Sequence, residues 1–189
     1  MLNFLVEDYA AAVAPLREAL QLTADKFGDD SSQSGFVRAN YAIALAYSGD
    51  VASGVAEWHR AIVSLEAATE PDFNVQATMY EKLARFRLDR HDATAALPLI
   101  ARVESLQKKA EAADPNWPAR AGALHAAALL LLGRPSEAQT VLAGATEALA
   151  KVTHPDAVLA VELPLMKPWL SSAQCSPAKC RLPTRSPIA

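Results

Sequence analysis

The chain has 189 residues, 51% of them apolar but only 6% aromatic, so Ala and Leu carry much of the apolar mass and an all-α fold is expected. Its 18 basic residues against 21 acidic ones exclude the basic excess that a nucleic-acid face or a polybasic membrane anchor requires. The opening MLNFLVEDYA has no positive leader and is interrupted by Glu7 and Asp8, and the longest nearly apolar run, 121–132, is too short to span a bilayer. The reading is therefore of a cytoplasmic chain that binds neither nucleic acid nor membrane.

Taken in chain order, residues 1–6 read as the last turn and a half of a helix whose start is absent, so the chain is expected to open in mid-hairpin. It would be either the C-terminal piece of a longer protein, the favoured reading, or a shortened terminal cap. A helix of about residues 8–27 follows, and its uncovered apolar side is a candidate for self-association through the N-terminal end. Three helical hairpins are then expected at about 33–68, 72–112 and 116–152. A capping helix of about 155–170 closes the domain, with Pro164 and Pro168 interrupting it. The Ser- and Pro-rich residues 171–189 lack periodicity and are expected to be a disordered tail. Cys175 and Cys180 lie there, able to form one local disulfide but without a second pair for zinc.

The hairpins repeat. Glu7, Gly49, His91 and Gly133 stand 42 residues apart and mark equivalent turns. One residue later come Asp8, Asp50, Asp92 and Arg134, and an aspartate suits a helix start because its carboxylate accepts from unpaired backbone N–H groups. Small residues follow at Ala12, Gly54, Ala96 and Ala138, and bulky ones at Leu16, Trp58, Ile100 and Leu142. Upstream of the turns stand Ala42, Ala84 and Ala126, preceded by Tyr41, Leu83 and His125. Small residues on both helices of a pair let the backbones approach, and the bulky neighbours fill the grooves. A hairpin of this kind buries its apolar face only against the next one, which implies an α-solenoid.

The small–bulky–small order around a Gly-Asp turn resembles the tetratricopeptide repeat, and the 42-residue period resembles its kinesin-light-chain-like subtype. Pro15 and Pro98, at nearly the same place in the second helix of two units, support that subtype, as do Gly28-Asp29-Asp30 and His154-Pro155-Asp156. His91 in place of a turn glycine, Glu7 in the first unit and His125 in place of leucine are departures. The resemblance covers about residues 1–170 and implies antiparallel hairpins stacked as a right-handed superhelix. It also implies that the first helix of each hairpin lines a concave groove, where Asn40 matches the asparagine that bonds a bound peptide backbone. On the face opposite the packing stripe the candidates are Phe36, Asn40, Ile43, Tyr47, Glu81, Lys82, Arg85, Arg120 and Leu124. The alternative is that these are ordinary solvated or inter-repeat positions.

Other residues are expected to be structural. Trp58 lies on an apolar helix face, His125 at a packing position suits a buried, hydrogen-bonded imidazole, and Glu81 with Arg85 has the spacing of a surface ion pair. His59, His91 and His154 share no ligand spacing, and neither a phosphate-binding glycine loop nor a nucleophile turn is present. No metal, cofactor or catalysis is expected. Two functions remain open: an adaptor that captures a protein or peptide partner in its groove, or the C-terminal regulatory array of a larger bacterial signalling protein, such as a serine/threonine kinase or transcriptional regulator. An RNA-binding repeat is disfavoured by the acidic balance.

Overall fold

The structure, a computed structural model, describes residues 8–68, 71–110 and 114–171, the side chains of residues 169 and 171 excepted. The expectations for the first six residues, Glu7, the tail from 172 onward and both cysteines lie outside the described residues. Among the described residues are eight helices and no strand: α1 Tyr9–Phe27, α2 Ser32–Ser48, α3 Val51–Glu66, α4 Phe73–Asp89, α5 Ala93–Gln107, α6 Trp117–Leu131, α7 Pro135–Ala150 and α8 Ala157–Ser171. The all-α fold expected from composition is the observed one.

Several of the helices begin where short polar side chains satisfy free backbone donors, whereas α6 and α7 start with a proline in the first turn and no side-chain cap. The carboxylates of Asp8, Asp50 and Asp92 accept from the N–H groups of Ala11, Ser53 and Ala95 at 3.0, 3.2 and 3.2 Å. Ser31 does the same for α2, accepting from Ser34 at 3.1 Å. The turns between helices pass through positive φ at Gly49, His91 and Gly133, with values of 112°, 59° and 70°.

The residues divide within α4 into two compact units, one up to Met79 and one from Tyr80. In the first, α2 packs against both α1 and α3. The α2–α3 approach is close enough that a Cβ on Gly54 would lie 2.7 Å from the Cβ of Ala46 and 2.8 Å from the carbonyl oxygen of Ala42. Ala42, Trp58 and Ala61 are wholly buried, Trp58 as expected, and Ala39, Ala61, Leu65 and Met79 form a cluster. The Gln76 side-chain amide donates to the Leu65 carbonyl at 2.8 Å near the end of α3. Buried Arg38 donates to Glu57 at 2.7 Å and to Asp29 at 2.5 Å, tying the loop before α2 to α2 and α3. The opposite side of α1 leaves Leu22 exposed, and Phe27 at its end is exposed too.

In the second unit one core runs through all the helical segments. Ala84 and Leu88 of α4, Ala96 and Ile100 of α5, the Ala/Leu-rich α6, Leu142 of α7, and Leu159 and Leu163 of α8 belong to it. Here Gly122 supplies the close approach: a Cβ there would stand 2.7 Å from that of Ala145. Ala84 and Ala126, like Ala42 in the first unit, have no exposed surface.

The prolines correct one expectation. Pro164 and Pro168 do not interrupt α8, and Pro15 and Pro98 lie inside α1 and α5. Each proline removes one backbone N–H and so frees the carbonyl four residues earlier. All four prolines are exposed, as are Ala11, Thr94, Ala160 and Pro164 at those earlier positions, so water can take the place of the missing donor.

Candidate functional site

Five of the nine residues singled out from the sequence lie in the second unit, and three of them join one charge network. Arg85 on α4 lies 3.7 Å from Glu81 one turn earlier and 3.7 Å from Glu162 on α8. Arg120 on α6 donates to Asp156 at 2.8 and 3.2 Å and lies 3.3 Å from Asp114. Its guanidinium also covers the Trp117 ring at 5.5 Å. Asp156 has a second task as the cap of α8, accepting from the N–H groups of Val158 and Leu159 at 2.9 and 3.4 Å. Its own N–H donates to the Asn116 side chain at 2.8 Å, so the start of α8 is fixed to the start of α6.

The electrostatics follow from partial burial. Glu81 retains only 13% of its side-chain surface, and burial holds its carboxyl above the ordinary range despite the opposing fields of Arg85, Arg120 and Lys82. Burial likewise pulls the Lys82 ammonium below its ordinary value, against the pull of Glu81. For Asp156 burial acts upward, but the Arg120 and backbone hydrogen bonds and the Arg120 charge outweigh it, so this carboxyl lies below its usual range.

Beside the network, α4, α6 and α8 enclose a pocket of about 90 Å³. Its apolar lining is Leu88, Ala123, Leu124, Ala127 and Met166, and its polar edge is Arg85, Asp89 and Glu162. The alanines make the space: a longer side chain at either position would enter it. On the other side of the unit, α5, α6 and α7 border a wider open groove of about 610 Å³, into which Gly144 and Val141 face beside Glu104 and Lys108.

The remaining four candidates lie in the first unit on α2. Phe36 is exposed. Asn40 spends its side-chain amide on the Phe36 carbonyl at 3.2 Å, within its own helix. Tyr47 stacks on Tyr9 of α1 with ring centroids 4.7 Å apart. Ile43 is buried, so it is a packing residue rather than a groove wall. Leu124 is buried as well and lines the small pocket. His125 departs from its expected burial: its side chain is 35% exposed and its Nδ1 lies 3.8 Å from a Glu104 carboxylate oxygen.

Asp114, Asp156, Glu162 and Asp89 were not among the sequence candidates. Asp156 carried a readable signal, since it directly precedes an apolar run and so has the signature of a helix cap. Asp89 and Glu162 gave none, because their place is set by packing between helices far apart in the chain. Among the described residues no group of three or more His, Cys, Asp and Glu side chains could hold a metal ion, and no helix is long and apolar enough to cross a membrane. Comparison of the chain with protein-family models, with curated proteins and with solved structures finds no match.

Proposed function

We propose that this chain is a protein-interaction module that docks an extended or helical segment of a partner on the face formed by α4, α6 and α8. One observation carries the reading: a pocket between three helices with an apolar wall, edged by Arg85, which lies 3.7 Å from both Glu81 and Glu162. Such a site suits recognition, in which an anchor side chain fills the cavity and the partner's charges replace or extend the ion pairs at its edge. On the same reading the hairpins are tetratricopeptide-like repeats of the 42-residue kind stacked in a right-handed superhelix, working in the cytoplasm without a catalytic step. The test is affinity capture with the full chain and with Arg85→Ala, whose folding is checked by circular dichroism. A specific partner retained by the unaltered chain and lost by the folded variant is expected. Equal retention by both would refute docking on this face.

A further inference from the structure

One side of α8 is left uncovered at positions that earlier helices bury. Ala160, Val161, Pro164 and Leu165 stand three 42-residue periods after Ser34, Gly35, Arg38 and Ala39 of α2. Those four are buried, and α3 covers them: a Cβ on Gly35 would lie 3.1 Å from Leu65 and 3.2 Å from Ser64, Arg38 donates to Glu57, and Ala39 clusters with Ala61 and Leu65. One period before α8, Ala119 and Ala123 of α6 are buried, and Gly122 lies against Ala145 of α7. On α8 the same positions are exposed, Val161 by 60% and Leu165 by 52%, and Val158 adds 45%. All of these α8 residues are apolar, where a helix face meant for solvent carries polar groups.

We infer that residues 177–183, which follow α8 in the chain, fold back along it as extended chain and cover this side. Ser176-Pro177 stands one period after Arg134-Pro135, where the chain reverses from α6 into α7. Between Pro177 and Pro183 the residues alternate: Ala178, Cys180 and Leu182 are apolar, Lys179 and Arg181 basic. In extended backbone successive side chains point to opposite sides, so the three apolar groups share one side and both charges the other. Extended chain advances about 3.3 Å per residue, so those three span about 13 Å, against about 10 Å from Val158 to Leu165 along the helix. The flanking prolines oppose a helix here and favour the extended form. A second copy fits the same stripe less well. One side of the 15-residue α8 offers on the order of a few hundred Å², short of the roughly 800 Å² per partner of a stable interface. A segment tethered by a few residues needs less contact, because its effective concentration is on the order of millimolar.

Paramagnetic relaxation on the full chain tests this. A nitroxide is attached at Arg181→Cys, on the outward side of the segment, with the native thiols removed by Cys175→Ser and Cys180→Ala. The amide signals of α8 are expected to fall most around Val161 and Leu165 rather than at Ser171, and high salt should not restore them. Val161→Asp with Leu165→Asp, exposed positions whose folding circular dichroism checks, should restore the signals there. So should Leu182→Asp in the segment itself, which leaves every described helix unaltered. A fall that is absent from α8, or steepest at Ser171 and fading along the helix, would overturn the inference, as would one unmoved by either substitution or abolished by salt. When the nitroxide-bearing chain is mixed with an isotope-enriched chain free of the label, the signals of the enriched chain should stay unchanged. A loss around Val161 in that mixture would make a second copy the cover and overturn the inference too.

Discussion

His91 and Gly133, 42 residues apart, end α4 and α6 with the same pair of hydrogen bonds. The His91 N–H donates to the Leu88 carbonyl at 2.9 Å and the next N–H, of Asp92, to that of Arg87 at 2.9 Å. The Gly133 N–H donates to Leu130 at 3.0 Å and that of Arg134 to Leu129 at 2.9 Å. Both residues are left-handed, at φ 59° and 70°, which is how a helix ends when the following backbone donors fold back onto its last carbonyls. A histidine thus does what a glycine does one repeat later.

That equivalence predicts a gain from His91→Gly. The left-handed conformation costs a residue with a Cβ about 1 kcal/mol, partly offset by the greater freedom that glycine brings to the unfolded chain. His91 is exposed, so little packing is lost. Urea unfolding should show the variant unchanged or more stable by up to about 1 kcal/mol, and Gly133→Ala less stable by about 1 kcal/mol. A loss of stability in His91→Gly would contradict the account of this turn.

Two other glycines should respond in opposite directions to the same added methyl group. Gly54→Ala places a Cβ 2.7 Å from Ala46, on its backbone nitrogen as well as its side chain, and α2 and α3 must separate to admit it. The expected cost is about 1–3 kcal/mol. Gly144 lies inside α7 with nothing within 4 Å of the new Cβ, and alanine is the better helix former there. Gly144→Ala should raise the melting temperature, by the equivalent of about 0.5–1 kcal/mol.

Asp156→Ala removes the cap of α8 and the acceptor of Arg120 at once. The expected loss is about 2 kcal/mol, above that of a cap alone, and Arg120→Ala should account for only part of it. A double-mutant cycle by chemical denaturation measures the coupling. An additive result would mean that Arg120 and Asp156 do not interact.

The two shifted carboxyls of this face give opposite pH dependences. Asp156 titrates below its ordinary 3.8 in the folded chain, so its contribution is complete above that value and is lost as pH falls through the folded pKa. Glu81 titrates above its ordinary 4.5, so the folded state holds its proton longer. Its contribution is present below 4.5 and lost as pH rises through the folded pKa. Stability profiles should therefore lose part of their fall at the acid end in Asp156→Asn, and part of their decline above pH 4.5 in Glu81→Gln. Profiles parallel to that of the unaltered chain would remove the basis for both assignments.

The elements that were legible in the sequence are those fixed by local chemistry. Asp8, Asp50 and Asp92 announce helix starts because capping involves residues three apart, and the recurrence of Ala42, Ala84 and Ala126 marks positions buried by helix packing. The site was less legible. The faces of α6 cannot be told apart by pattern, since apolar residues surround that helix on nearly every side and most of them, Leu124 included, are buried. Ile43 on the alanine-rich α2 is misjudged for the same reason. Pairings such as Arg120 with Asp156 or Arg85 with Glu162 join separate helices, and no local spacing reports them. His125 shows the converse: a packing position tolerates a polar ring when Glu104 on α5 and solvent share it.

The most direct measurement is amide hydrogen exchange on the full chain, alone and saturated with the partner that it captures. Docking on the proposed face predicts slowed exchange confined to α8 and to the segments of α4 and α6 around Arg85 and Leu124, with α5 and α7 unchanged. Protection centred on α5 and α7, with none around Arg85, would place the partner elsewhere and contradict the account.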